Sequence, residues 1–464
     1  MSIAYGRDYP EAPWVGPDGP LDAPEDDTAP TKVHRGQALF AYRLAERCAD
    51  ELMFVHGIGW HHYDGTRWIE DQRGYARRAV LHELKRALSK TLGDNDLRRD
   101  VAKCESAAGV LGVLTLAAAL EEFAFTVEDL DPDPYLLNCA NGTLDLRTMQ
   151  LHPHDPADRI TKVTRAAYRP DSDAATWKRF LGSSLPDAEV RSFLQRYVGI
   201  GLAGRVLEHK LCILTGAGRN GKGVFYGAVG HAFGDYAMVA EPDLFMHREH
   251  AHPTGEMDLL GRRWVVVSES DQGRRLAEAT VKRLTGGDRI KARRMRMDYV
   301  EFPASHTAAL VTNHLPKVSG DDPALWSRLL VVPFDVVIPA DERDPELPQQ
   351  LEAEADAILT WAVAGWQEYQ RAGLAAPAAV TAATESYQAG ADAVGRFIEE
   401  CCIPGPKFVF GNVHERWSGW AHSEGQPAMG KPEFRAALET RGYTIRRGSG
   451  NKIFVHGLVL VSDD

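Results

Sequence analysis

At 464 residues, 44% hydrophobic and 25% charged, the chain has an ordinary globular composition and the length for two or three domains. No apolar run approaches the roughly 20 residues that cross a bilayer, and the opening MSIAYGRDYP has neither a basic start nor an apolar signal core, so no membrane contact and a cytoplasmic location are expected. The net charge of -12 excludes attraction of nucleic acid by the overall field and leaves that task to local basic clusters, while six cysteines without C-x-x-C spacing exclude a zinc ribbon or disulfide framework.

Residues 1–32, rich in Pro, Gly and Asp, read as a disordered or extended arm. Residues 33–170 read as a mixed α/β domain. QALFAYRLAERCADELMFV has helical apolar spacing, GIGWHHYDGTRWIED alternates around an Asp64-Gly65 turn, and helices are expected from Tyr75 to Phe125. A small β-unit follows over VEDLDPDPYLLNCANGTLDLRTMQLHPHDPADRITKVT, its short apolar runs cut by Asn141-Gly142 and by Pro153 and Pro156. His56, His61 and His62 have no matched carboxylate or cysteine, so packing or solvated histidines are expected there, not a metal. Asp131 and Asp133 flank Pro132 in a loop with no strand to set a two-metal geometry, so primase chemistry is not expected. Residues 171–205 read as a collar-like pair of helices leading into the next unit.

The stretch LCILTGAGRNGKGVF, Leu211 to Phe225, carries the strongest signal in the chain. A buried parallel strand runs into a glycine-rich loop with the spacing G-x-x-x-x-G-K and then into a helix. Gly216, Ala217, Gly218, Arg219, Asn220, Gly221, Lys222, Gly223 and Val224 form a phosphate cradle in which loop amides and a helix N-terminus offer donors to an anion. Lys222 supplies a point charge for the β- and γ-phosphates of ATP. Gly223 stands where Ser or Thr usually helps to hold Mg2+.

Downstream, RRWVVVSES reads as a second buried strand with Glu269 at its carboxyl end, placed to polarise water and hold Mg2+ directly or through water. LVTNHLP ends a third strand at Asn313, whose amide can contact a γ-phosphate or orient water. Arg328, in ALWSRLLVVPF, precedes another strand and could stabilise phosphoryl-transfer charge in an adjoining subunit. Between the second and third strands, VKRLTGGDRIKARRMRMDYVEF concentrates Lys282, Arg283, Arg289, Lys291, Arg293, Arg294 and Arg296 in an acidic chain, the footprint expected of a phosphate-binding surface. Its alternation suits a strand or hairpin, with Lys282, Arg289, Lys291, Arg293 and Arg294 as the candidate DNA contacts.

GAGRNGKGVF, VVVSES, VKRLTGGDRIKAR, LVTNHLP and WSRLLVVPF together resemble the A, B, B', C and arginine-finger blocks of superfamily 3 helicases, specifically the phage and plasmid primase/helicase C-terminal group with poxvirus relatives. LLNCANGTLDL and FLQRYVGIGLAG resemble the region before that core. The resemblance implies an AAA+-type P-loop ATPase core over 206–371, assembled as a hexameric ring that draws single-stranded DNA through its centre, in a bacterial host cell. It also implies that the basic block is the DNA-contacting pore element. The departures are Gly223 and a single Glu269 followed by Ser270, and the priming activity of longer relatives is not expected of these residues.

Residues 372–390 read as a linker, and 391–464 as a winged-helix-like domain of helices followed by a two-stranded ribbon. Its Lys431, Arg435, Arg441, Arg446, Arg447 and Lys452 suit either DNA phosphates or a protein partner, and Trp417 and Trp420 suit its core. The fold class expected is thus α/β: an AAA+-type P-loop core, a helical and small-β N-terminal region, and a winged-helix-like C-terminus. The function expected is an ATP-dependent, ring-forming DNA helicase of phage, prophage or plasmid replication, acting on single-stranded or forked DNA as a homo-oligomer, with ATP and Mg2+ and a replication-fork or mobile-element partner. The alternatives are a ring that ATP assembles on an origin, fork or partner with little unwinding, and a small-molecule P-loop kinase.

Overall fold

A computed structural model describes residues 34–90, 94–247, 253–269, 273–294, 298–318, 322–424, 428–448, 450 and 452–461. The arm expected at residues 1–32 lies outside them. Five strands form the central sheet: β1 (Leu211–Thr215), β2 (Ala237–Ala240), β3 (Trp264–Glu269), β4 (Thr307–Thr312) and β5 (Leu329–Pro333). They are all parallel, in the order β5-β1-β4-β3-β2.

Parallel strands with helices on both faces must be apolar on both, which is why the sequence reads as unbroken hydrophobic runs there. Alternate residues enter two different cores. Cys212, Leu214, Trp264, Val266, Ala309 and Val311 pack with the helices Ala188–Ile200, Lys222–Phe233 and Ala355–Ala372. Leu211, Ile213, Val265, Val267, Ala308 and Leu310 pack on the opposite side with the helix Glu278–Leu284 and with Leu325 and Trp326. Tyr197 ties helix to sheet, its hydroxyl accepting from the Cys212 amide at 3.1 Å and donating to the Ala308 carbonyl at 2.5 Å.

The region before the core is built in two parts. The helices Gly36–Cys48, Tyr75–Ser89, Asn95–Cys104 and Ala107–Ala117 enclose their own apolar cluster against a four-stranded sheet. The sheet of Leu136–Cys139, Gly142–Asp145 and Gln150–His152 shares instead the larger core of the central unit. Buried Arg263 locks that junction: its guanidinium donates to the carbonyls of Leu202 at 2.6 Å and Leu136 at 2.7 Å and lies 4.4 Å over the Tyr236 ring. A buried cation is tolerable only when its donors are spent in this way.

Two sequence expectations meet a different structure. Most of 372–390, read as a linker, belongs to the helix Ala378–Ala391. Thr384 Oγ1 accepts from the Val331 amide at 2.9 Å, so this helix covers the outer edge of β5, where unpaired backbone groups would otherwise face water. The C-terminal ribbon has three strands, because Cys402–Val409 pairs antiparallel with Ile453–Leu460 on the side opposite Thr444–Arg447. Pro404, Gly405 and Pro406 hid that strand in the sequence; a register shift at Gly405/Lys407 absorbs them. Trp417 is fully buried against Phe434, with ring centroids 5.2 Å apart.

His306, at the entry to β4, is 2% exposed, and neither ring nitrogen has a hydrogen-bond partner among the described residues. Burial holds its pKa down at about 4, against an ordinary 6.5. As pH falls, the unfolded chain takes up this proton first. Its contribution is therefore intact above pH 6.5 and is lost progressively between 6.5 and about 4, by about 3 kcal/mol in all. Denaturant unfolding of His306→Leu at pH 7 and at about pH 4.5 is expected to show a smaller loss of stability on acidification than the parent chain.

Candidate nucleotide and nucleic-acid sites

The loop after β1 is held by the strands beside it. Gly216, Gly218 and Gly221 all have positive φ, and a Cβ at Gly216 would come within 2.3 Å of Asn220 Nδ2 and the Phe334 carbonyl. Only glycine lets the backbone turn here. Buried Asn220 donates from Nδ2 to the Phe334 carbonyl at 2.7 Å, which fastens the loop to the end of β5.

Lys222 opens the helix Lys222–Phe233 and is 5% exposed. Its amine donates to the Gly216 carbonyl at 2.7 Å, to Asn220 Oδ1 at 3.1 Å and to Asn313 Oδ1 at 3.3 Å. Burial lowers its pKa. The sheet order accounts for Asn313: β4 lies directly beside β1, with Thr312 paired to Thr215, so the residue after β4 emerges next to the loop. Gly223 is exposed on the first turn of the helix, and a Cβ there meets nothing within 4 Å.

Glu269 closes β3 in register with Thr312, two strands and therefore about 10 Å from the backbone of Thr215. Its side chain lies outside the described residues, as do Ser270 and Asp271. Arg328 stands at the other end of the sheet. It immediately precedes β5, and its carbonyl accepts from the Leu211 amide at 2.7 Å. Five residues of parallel strand, about 16 Å, separate that level from Thr215. Arg328 Nη1 donates to the Ala324 carbonyl at 2.6 Å, and Nε has no partner among the described residues.

The basic block divides between two elements. Lys282 and Arg283 lie on the helix Glu278–Leu284, paired with Asp322 at 2.6 Å and Glu256 at 2.5 Å. Arg289–Ala292 pairs antiparallel with Val300–Pro303 as a hairpin, and Ile290, Ala292, Val300 and Phe302 root it in the core. Arg289 bonds Glu301 at 2.8 Å and Glu128 at 2.6 Å, and Arg294 bonds Glu70 at 2.7 Å. Glu70 and Glu128 belong to the N-terminal region, so these two arginines tie the hairpin to it. Lys291 and Arg293 have no carboxylate partner among the described residues and lie instead 5.5 and 4.8 Å from the ring centre of Tyr299. Arg296 lies outside the described residues.

The residues set aside in the sequence are engaged elsewhere. Asp131 accepts from the Thr161 amide and hydroxyl at 2.9 and 2.6 Å, and Asp133 accepts from Arg147 at 2.6 Å. His62 stacks on Tyr75 at 4.2 Å. No group of three His, Cys, Asp or Glu able to hold a metal occurs among the described residues, and no described helix is long and apolar enough to cross a membrane. The brace from Asn220 and the aromatic partner Tyr299 were not singled out from the sequence. Asn220 was read only as part of the loop, and Tyr299 only as part of the stretch that carries the basic block.

Comparison with known proteins finds partial similarity to viral proteins. A family described as D5 N terminal like matches residues 41–186, and a family of unknown function, DUF5906, matches residues 214–328. A candidate helicase of Acanthamoeba polyphaga mimivirus is 24% identical over 78% of this chain and 42% of its own length. A candidate helicase of Invertebrate iridescent virus 3 is 26% identical over 55% of the chain and 28% of its own. A candidate primase of African swine fever virus is 25% identical over 47% of the chain and 24% of its own. The chain thus spans less than half the length of these relatives. In fold it is similar to the apo structure of the NrS-1 C terminal region, with a TM-score of 0.52 and 11% identity over 92% of this chain and 100% of that one. By these matches the chain is similar over residues 41–186 to D5 N terminal like proteins, and over part of its length to viral proteins named as helicases and primases.

Proposed function

We propose that the chain is an ATP-driven, ring-forming DNA helicase of phage, prophage or plasmid replication, with an AAA+-type core and a winged-helix-like C-terminal module. The observation that carries this reading is the Lys222 amine, converging with Asn313 on a glycine loop that the adjacent strands hold open. The loop fits a triphosphate: its glycines leave no side chain in the way, and the ammonium group is already desolvated and aimed along the loop.

In this reading Lys222 exchanges its carbonyl and amide partners for phosphate oxygens, and Asn313, released by that exchange, contacts the γ-phosphate or orients water. Glu269, at the carboxyl end of β3, polarises the attacking water and holds Mg2+ directly or through water. Mg2+ when bound neutralises phosphate charge. Arg328 lies too far from its own loop to serve it, so it acts on a nucleotide held by an adjoining subunit, which fits a hexameric ring. Exposed Lys291 and Arg293 on the hairpin contact single-stranded DNA.

A second reading, a ring that ATP assembles on a fork or a partner with little unwinding, draws on the ion pairs that brace Arg289 and Arg294 to the N-terminal region. The two are separated by ATP hydrolysis measured with and without single-stranded DNA, beside strand separation of a forked duplex. DNA-stimulated turnover with unwinding, both lost in Glu269→Gln, is the outcome expected of a helicase; ATP binding without unwinding on any fork favours the second reading.

Two further outcomes follow from the site. Lys222→Ala is expected to lose nucleotide binding, while Arg328→Ala keeps binding and loses turnover by about 10³-fold. Mixing the two variants should restore part of the turnover, since the intact arginine of one meets the intact loop of the other. Absence of recovery at every mixing ratio counts against action across the interface. Gly223→Ser has open space for its side chain and is expected to fold, and to lower the Mg2+ concentration needed for half-maximal hydrolysis.

A further inference from the structure

The hairpin uses its cations for two different purposes. Arg289 and Arg294 are committed to Glu128, Glu301 and Glu70, at 2.6 to 2.8 Å. Lys291 and Arg293 are held by none of the described carboxylates and gather on Tyr299. The register explains the grouping: Ala292 pairs with Val300, which brings Arg293 opposite Tyr299 and leaves Lys291 diagonal to it.

Tyr299 itself is 50% exposed, although the neighbouring apolar residues Val300 and Phe302 are buried in the core. The hairpin root therefore does not require that ring for packing. A half-exposed aromatic ring beside two cations that no described carboxylate holds is suited to one class of ligand, a flat unsaturated ring carried on an anionic chain. An unpaired nucleobase meets both conditions, because it stacks on an aromatic face while its flanking phosphates meet Lys and Arg. A base within a duplex offers no free face to such a ring.

We propose that Tyr299, with Lys291 and Arg293 beside it, is a stacking platform for an unpaired nucleobase of single-stranded DNA. The proposal rests on the DNA-binding reading above and adds to it a contact to bases instead of to the phosphate chain alone. Stacking uses a π face that every base has, so the platform tolerates any sequence.

The test compares two fluorescently labelled strands of equal length, an oligothymidylate and a wholly abasic strand with the same phosphate chain, titrated with the full chain in an anisotropy assay at fixed salt. The parent protein is expected to bind the oligothymidylate more tightly. Tyr299→Ala should weaken that binding roughly 5- to 100-fold and leave the abasic strand unaffected. Tyr299→Trp should retain the preference, which also shows that the position tolerates change. If Tyr299→Ala weakens both strands equally, or neither, the platform is overturned and the DNA-binding reading stands. If the parent protein binds neither strand, the DNA-binding reading falls and the platform with it, and the exposed ring is then a surface for a protein partner.

Discussion

The amine of Lys222 is met by three oxygens from two parts of the chain: the Gly216 carbonyl and the Asn220 side chain of its own loop, and the Asn313 side chain. An ammonium group removed from water has to be met in this way, and the requirement sets the neighbourhood. The loop must fold back so that Gly216 faces the helix start, and β4 must lie beside β1 so that Asn313 comes within reach. Asn220 must also turn its amide to the end of β5.

The same economy of charge governs the hairpin. Within a chain of net charge -12 one short block is densely cationic, and most of that block's described members are neutralised internally: Lys282, Arg283, Arg289 and Arg294 each hold a carboxylate. The N-terminal region contributes Glu70 and Glu128 to this arrangement. It therefore serves as a buttress for the hairpin as well as a separate core of helices. Exposed pairs of this kind contribute little to stability singly, but they restrict where the hairpin can point. The cations left over, Lys291 and Arg293, both lie within 5.5 Å of the centre of one ring, that of Tyr299.

Much of this architecture could be read from residue order. The runs LCIL, WVVV and TAALV announce buried parallel strands because both faces of such a sheet are covered, and the G-x-x-x-x-G-K spacing announces a loop whose glycines are needed for positive φ. Less could be read at the chain's later part. The strand Cys402–Val409 contains Pro404, Gly405 and Pro406, which local propensity assigns to a turn; only pairing with Ile453–Leu460, some fifty residues on, makes it a strand. The alanine-rich stretch near residue 380 resembles a linker by composition, yet Val380 is fully buried and Thr384 bonds the edge of β5. In both places a distant partner overrides the local preference.

The sequence by itself determined the elements of the central unit and the residue types on offer: strand, glycine loop and lysine, an acid at the end of one strand, an amide after another, an arginine before a third, and a block of cations. Those follow from short-range patterns of period, spacing and backbone freedom. Only the tertiary structure decided which of them meet. The order β5-β1-β4-β3-β2 brings Asn313 to Lys222 and leaves Arg328 at the opposite end of the sheet, and contacts across more than 150 residues tie Arg289 and Arg294 to the N-terminal region. The reason is physical: a cation's partner is whichever carboxylate the packed core brings within about 3 Å, and no local pattern records that distance.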